Sequence, residues 1–213
     1  MKIFLDFDDT LFDTSAFSEG LQRIFGEYGT SEEVFWESYR EMKKECPTGG
    51  WSYSPEKHIE KIQMQRGISF DKNVIRKKLM MYFADTKRFL FLDTEELLST
   101  LRENGHILYI LSFGDKDFQM AKVSGTGMGS FLEKVIVTDT DKAEAMRREI
   151  GVHDEVWFLD DKIHFIESVK KAFPHVRTIL VRRKEDRHCK EKSSKFCDYV
   201  VMDLRRALEI IKG

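Results

Sequence analysis

At 213 residues, with 41% hydrophobic and 34% charged residues, the chain has the composition of a soluble globular protein with room for one sizeable core, or a core and a small insert. A formal net charge of −2 gives no footing for nucleic acid as a partner. The three cysteines, Cys46, Cys189 and Cys197, have no metal-type spacing and read as reduced thiols of a cytoplasmic protein.

No apolar run approaches the ~20 residues of a bilayer span, so no membrane association is expected. Asp6 interrupts the apolar start of the chain too early for a signal peptide. That start, Ile3 to Leu5, suits a strand buried on both faces of a parallel sheet. It stops at Asp6-Phe7-Asp8-Asp9-Thr10-Leu11. Carboxylates at the carboxyl end of such a strand sit where open α/β sheets bind ligands. Asp6 and Asp8, two residues apart, could divide the work, one touching a metal and the other facing a leaving group. The bland alternative is a strand end with an acidic turn.

Residues 15 to 88 read as helical. Phe17, Leu21, Ile24 and Phe25 share one helical face, as do Val34, Phe35, Tyr39 and Met42 after a start at Ser31-Glu32-Glu33. Cys46-Pro47-Thr48-Gly49-Gly50 breaks the pattern. A third helix starts at Ser54-Pro55-Glu56 and runs to Arg66, and a fourth covers 71–84. Four helices without an intervening strand are an insertion rather than a βαβ continuation.

From Asp93 strands and helices alternate. The strands are 107–111, 135–137, 155–159, 178–181 and 199–201; the helices are 94–104, 116–123, 142–149, 163–173 and 204–212. Gly125, Gly127 and Gly129 mark a loop, and the charged run 182–195 reads as a solvated loop. The pattern predicts an α/β fold, a doubly wound parallel sheet with a small all-helical second domain. Its core is 1–14 with 89–213, and its insertion 15–88.

Three later positions offer chemistry. Ser112-Phe113-Gly114-Asp115 puts a small hydroxyl and turn-forming backbone after a strand, able to donate to a phosphoryl oxygen, or simply to cap the next helix. Lys142 opens a helix, where a cation is electrostatically unfavourable, which hints at another task. Asp160-Asp161 follows a buried strand, costly without a cation, so either a metal or a cap role fits.

Taken in order, Asp-x-Asp-x-Thr, then Ser, then Lys, then Asp-Asp, each at a strand end or helix start, the chain resembles the haloacid dehalogenase (HAD) superfamily along essentially its whole length. The match implies a Rossmann-type core with a helical cap at 15–88. Where many members have Gly, this chain has Asp9, whose charge is expected to face solvent.

The resemblance implies a magnesium-dependent phosphatase acting on a small-molecule phosphate monoester through an aspartyl-phosphate. Asp6 would be the nucleophile and Asp8 the acid and base. Mg2+ would be held by the Asp6 carboxylate, the Asp8 backbone carbonyl and Asp161, with Asp160 orienting a ligand water or lying behind. Ser112 and the backbone N–H groups of Phe113 and Gly114 would bind phosphoryl oxygens, Lys142 would offset charge, and Thr10 would stabilise the turn. Members that displace halide typically lack the second aspartate, so Asp8 favours phosphoryl transfer. In the cap, Trp51 and Tyr53 could form a stacking wall, and His58 or Arg40 could meet a polar leaving group. The substrate would be a phosphorylated metabolite or nucleotide. A sugar-phosphate mutase on the same motifs, or a phospho-aspartate signalling or binding module, are the alternatives.

Overall fold

A computed structural model describes residues 1–44, 53–67, 71–183 and 194–213. Six parallel strands form one sheet: β1 (Lys2–Leu5), β2 (Ile107–Phe113), β3 (Lys134–Thr138), β4 (Val156–Asp160), β5 (Arg177–Val181) and β6 (Tyr199–Val201), in the order β3-β2-β1-β4-β5-β6. β1 is central. Leu5 pairs with Ile110 on one side and with Leu159 on the other, so the chain just beyond Leu5 emerges between the ends of β2 and β4. Strand order reverses at this point, where open sheets form their ligand crevice.

The apolar strands β1, β2, β4 and β5 bury both faces, as their sequences require, while β3 and β6 at the edges are more exposed. Ile3, Leu5, Leu108, Ile110, Trp157 and Leu159 face one core; Phe4, Tyr109, Leu111 and Phe158 face the other. Helices α5 (Thr94–Glu103), α6 (Lys116–Gly125), α7 (Lys142–Met146), α8 (Ile163–Ala172) and α9 (Leu204–Lys212) cover the two sides. The pattern predicts α7 to continue to Glu149; it stops at Met146, well short of Gly151. The predicted glycine loop is also shorter. Gly125 is still helical, and Met128–Phe131 forms a 3₁₀ turn.

Between β1 and β2 lie α1 (Thr14–Glu27), α2 (Glu32–Lys44), α3 (Pro55–Arg66) and α4 (Lys72–Phe83). Each starts where a capping side chain is available: Asp13 accepts from the Ala16 N–H, Ser54 from Lys57 and Asp71 from Asn73. Their apolar faces (Phe17, Leu21, Phe35, Ile59, Ile75 and Leu79 among them) run continuous with one side of the sheet core. Burying each such side chain stabilises by about 1.5–3 kcal/mol. Among the described residues, no helix is long and apolar enough to cross a membrane.

The charged run beginning at Arg182 departs from its predicted solvation. Arg182 and Arg183 are buried, while 184–193 lie outside the described residues. The Arg183 guanidinium donates to both Asp93 oxygens at 2.9 and 2.8 Å and to the Thr10 carbonyl at 2.9 Å, and it lies over the Phe91 ring. Asp93 also accepts from the Leu204 N–H at 2.8 Å, so one buried ion pair ties the Asp6–Thr10 loop to the start of α9.

The insertion and α6 meet at very close range. Thr86 donates from its N–H to the Gly125 carbonyl at 3.1 Å and from its hydroxyl to the Lys122 carbonyl at 2.6 Å. A Cβ on Gly125 would overlap the Phe83 carbonyl oxygen. Gly125→Ala is therefore expected to lower stability by about 2–3 kcal/mol, read as a shift of the urea midpoint at unchanged slope.

Candidate active site

The first loop places the carboxylates. Asp6 continues the pairing of β1, its N–H donating to the Leu159 carbonyl at 2.9 Å. The chain then turns tightly: the N–H groups of Leu11 and Phe12 donate to the Phe7 carbonyl, and that of Asp9 to the Phe12 carbonyl. Asp9 sits in the left-handed region, φ +59°, which a short polar side chain tolerates. That conformation accounts for glycine at this position in the family pattern. The expectation that Asp9 faces solvent is wrong: the tight turn folds it inward, and it is buried.

Asp6, Asp160 and Lys142 form one buried group. The Lys142 ammonium donates to Asp6 Oδ1 at 2.5 Å and to Asp160 Oδ2 at 2.6 Å, and none of the three is appreciably exposed. Burial alone would lower the lysine, but the charges of Asp160 and Asp6 outweigh it and hold Lys142 above its ordinary range as a cation. The other Asp160 oxygen accepts from the Lys162 N–H at 2.8 Å. Asp160 thus spends both oxygens on protein donors and fixes Lys142. Thr10 donates to Asp6 Oδ2 at 3.3 Å, which aims the carboxylate.

Asp161 is different. It is buried, yet neither carboxylate oxygen has a hydrogen-bond partner, and the Lys162 ammonium stays 3.9 Å away. Burial pushes its carboxyl well above the usual range; the Lys162 charge opposes this, and the carboxylates of Asp6, Asp160 and Asp9 add to it. Oxygens of Asp6, Asp160 and Asp161 lie within 4.8 Å of one another. A hard cation fits this set, because it would satisfy the orphaned oxygens and cancel the repulsion.

Ser112 also has a buried hydroxyl without a partner. It does not cap the next helix; Asp115 does, accepting from the Phe118 N–H at 3.0 Å. Its hydroxyl is therefore free for a ligand. The expectation for the following backbone is only half met in geometry. The Gly114 N–H donates to the Thr138 carbonyl at 2.9 Å as pairing with β3 continues, so it has no capacity for phosphate. Strand N–H groups alternate sides, and that of Phe113 faces β1 instead.

Asp8 leaves the opposite side of the loop from Asp6 and meets residues the sequence reading misses. Its carboxylate accepts from the Lys122 ammonium, from Gln119 Nε2 at 2.7 Å and from the Thr14 hydroxyl at 2.9 Å. Burial would raise the Asp8 carboxyl, but the Lys122 charge and these hydrogen bonds bring it down to about 2. The Lys122 ammonium is itself surrounded by the rings of Phe7, Phe12, Phe17 and Phe118, with centroids 4.9–5.7 Å away. A signal for Lys122 exists in the sequence: it shares a helical face with Phe118 and Gln119, one turn after Ser112-Phe113-Gly114-Asp115.

Above these groups opens a cavity of about 670 Å³ between the insertion and the sheet ends. Of the insertion candidates, Tyr53 lines it. His58 does not: it is buried between Ser38 (Nε2 to Oγ 2.7 Å) and the Tyr53 hydroxyl (Nδ1 to OH 3.0 Å), and burial lowers it to about 4. Arg40 is exposed on α2 and does not line it either, because the inward face of α2 is carried by Phe35 and Tyr39. Trp51 and most of its loop lie outside the described residues.

A family model described as haloacid dehalogenase-like hydrolase matches residues 3–172. The chain belongs to that family of hydrolases. No curated protein matches the sequence. Among solved structures, a Burkholderia xenovorans LB400 protein classed as a haloacid dehalogenase-like hydrolase superposes with a TM-score of 0.77 at 18% identity, covering 98% of this chain and 95% of that one. The HAD-hydrolase YfnB of Bacillus subtilis, solved with magnesium bound, gives 0.68 at 14% identity over 100% and 98%. The L-2-haloacid dehalogenase of Xanthobacter autotrophicus, with chloropropionic acid covalently bound, gives 0.66 at 16% identity over 100% and 98%. At these identities the neighbours establish the HAD-like fold, and the chemistry is read from the site itself.

The Lys122–Asp8 pair makes a pH-dependent contribution to stability. Asp8 is depressed in the folded state, so the contribution is complete above its ordinary value of 3.8 and is lost as pH falls toward about 2. Lys122→Met is expected to cost about 3 kcal/mol at neutral pH by stranding a buried carboxylate. In urea titrations, the gap between the variant and the wild type should close as pH falls from 3.8 toward about 2.

Proposed function

We propose that this HAD-family hydrolase is a magnesium-dependent phosphatase of small-molecule phosphate monoesters. The observation that carries the reading is Asp161, a buried carboxylate with no hydrogen-bond partner on either oxygen, beside Asp6. Two carboxylates in that position call for a cation, and phosphoryl transfer uses one whereas halide displacement does not. Asp8 supports the same choice. A leaving alkoxide needs a proton and a halide needs none, yet three donors hold a second carboxylate at the cavity.

In this reading Asp6, Asp161 and the Asp8 carbonyl would hold Mg2+, which when bound would supply positive charge against the phosphoryl oxygens. An Asp6 oxygen attacks phosphorus; the bond to the ester oxygen breaks as the bond to Asp6 forms, giving an aspartyl-phosphate. Asp8 is a carboxylate beforehand. The incoming phosphate dianion disfavours that form, so Asp8 takes up a proton on substrate binding and passes it to the leaving oxygen. The carboxylate thus regenerated removes a proton from water as that water attacks phosphorus and releases Asp6. Ser112 donates to a phosphoryl oxygen, and Lys142 offsets the charge gathered on Asp6.

Hydrolysis of p-nitrophenyl phosphate tests the reading. Turnover should require magnesium and stop with EDTA. Asp6→Asn should abolish it, and Asp8→Asn should lower kcat by about 10²–10⁴. Asp161→Asn should weaken magnesium binding in calorimetry whether or not the protein turns over. Magnesium-independent turnover, or turnover by Asp6→Asn, would overturn the assignment.

A further inference from the structure

The cavity above Asp8 has two unlike walls. On the insertion side it is lined by Phe17 and Leu21 of α1, Phe35 and Tyr39 of α2, Tyr53, and Phe118 of α6. Across from them lie Asp115, Asp139 and Asp141, and three lysines also line the cavity: Lys43 of the insertion, Lys122 and Lys162.

The apolar wall is built in advance of any ligand. The Tyr53 hydroxyl is held by His58 inside the insertion, and the ring stands edge-on to Phe118 with centroids 5.0 Å apart and beside Tyr39 at 5.4 Å. The tyrosine therefore offers the cavity its ring, with its polar tip tied inward. Phe17, Leu21 and Phe35 are buried, and they line a cavity that opens to solvent on one side.

Size limits what fits. A volume of about 670 Å³ lies well inside the range of ~300–1,000 Å³ typical of pockets for drug-sized ligands. A two- or three-carbon acid would leave most of it unfilled and the aromatic wall unused. The charged lining is mixed, with aspartates set against Lys43, Lys122 and Lys162, so the apolar wall is the part that discriminates.

We propose that this wall receives the leaving group, and that the substrate is the phosphate monoester of an alcohol carrying an aromatic or apolar body. The proposal rests on the phosphatase reading above, and the bond changes are those given there, with the aromatic alcohol as the group that leaves with the Asp8 proton.

The test compares kcat/KM, with magnesium present, for 2-naphthyl phosphate, a nucleoside 5′-monophosphate and 2-phosphoglycolate. At least one of the two aromatic esters should exceed phosphoglycolate by about tenfold or more, since apolar complementarity in a pocket discriminates on that scale. Which of the two is preferred separates an aryl alcohol from a nucleoside. Leu21→Trp, which narrows the cavity, should lower kcat/KM for the preferred ester by at least about tenfold. Calorimetric binding of 2-naphthol to the wild type is the measurement independent of turnover. Equal rates, or preference for phosphoglycolate, would overturn the inference and leave the phosphatase reading standing. No hydrolysis of any ester, with 2-naphthol bound by the wild type and lost in Leu21→Trp, would sustain the aromatic pocket and sink the phosphatase reading. Absence of both hydrolysis and 2-naphthol binding would overturn the inference.

Discussion

Four carboxylates converge at the end of β1 and β4, and their charge governs the site. Lysines answer three of them at hydrogen-bond distance: Lys142 meets Asp6 and Asp160, and Lys122 meets Asp8. Asp161 is left without a hydrogen bond. Buried charges are tolerated when paired and hydrogen-bonded, and they are expensive otherwise. The fold therefore sets two buried lysines against three aspartates and gives the fourth no hydrogen-bond partner. Lys142 can serve two carboxylates because β1 and β4 are adjacent and parallel, so Asp6 and Asp160 emerge side by side.

Asp8 is held by a separate arrangement on the other side of the loop. Lys122 and Gln119 reach it from α6, and Thr14 reaches it from the first turn of α1. The aromatic rings around Lys122 come from the first loop, α1 and α6 together. A cation in an aromatic cage loses water contacts and gains ring contacts, which makes its position depend on packing from the insertion as well as the core. The protonation behaviour of Asp8 is thereby linked to how α1 is seated.

The sheet and the order of its motifs could be read from sequence because both depend on local signals. Apolar strands of four to seven residues announce buried parallel strands, and the aspartates, Ser112 and Lys142 stand at their ends. What escaped was the partner network. Lys122, Gln119 and Arg183 act through contacts 90 to 173 residues away in sequence, and no local pattern carries that information. A lysine on an apolar helical face is the nearest thing to a trace. Arg183 stands in a charged run whose composition points to solvent, and only the packing of Asp93 and Phe91 draws it inside. Asp9 misled for a similar reason: its exposure is set by the left-handed turn, which residue type alone does not specify.

The two segments that join the insertion to the core are laced together beside the site. Phe12 and Leu90 form an antiparallel bridge, the Asp13 N–H donates to the Phe89 carbonyl at 2.8 Å, and the Phe91 N–H donates to the Leu11 carbonyl at 3.0 Å. Thr94 adds a bond from its hydroxyl to the same Leu11 carbonyl at 2.8 Å. Leu11 is the next residue after Thr10, whose hydroxyl aims Asp6 and whose carbonyl receives Arg183. The attachment of the insertion and the placement of Asp6 therefore share one short stretch of backbone. A tilt of the insertion that moved Phe17 and Leu21 in the cavity wall would be transmitted along α1 to Thr14, one and two turns away, whose hydroxyl donates to Asp8. On this geometry, part of the apolar cavity wall and one of the hydrogen bonds to Asp8 are carried by the same helix, α1.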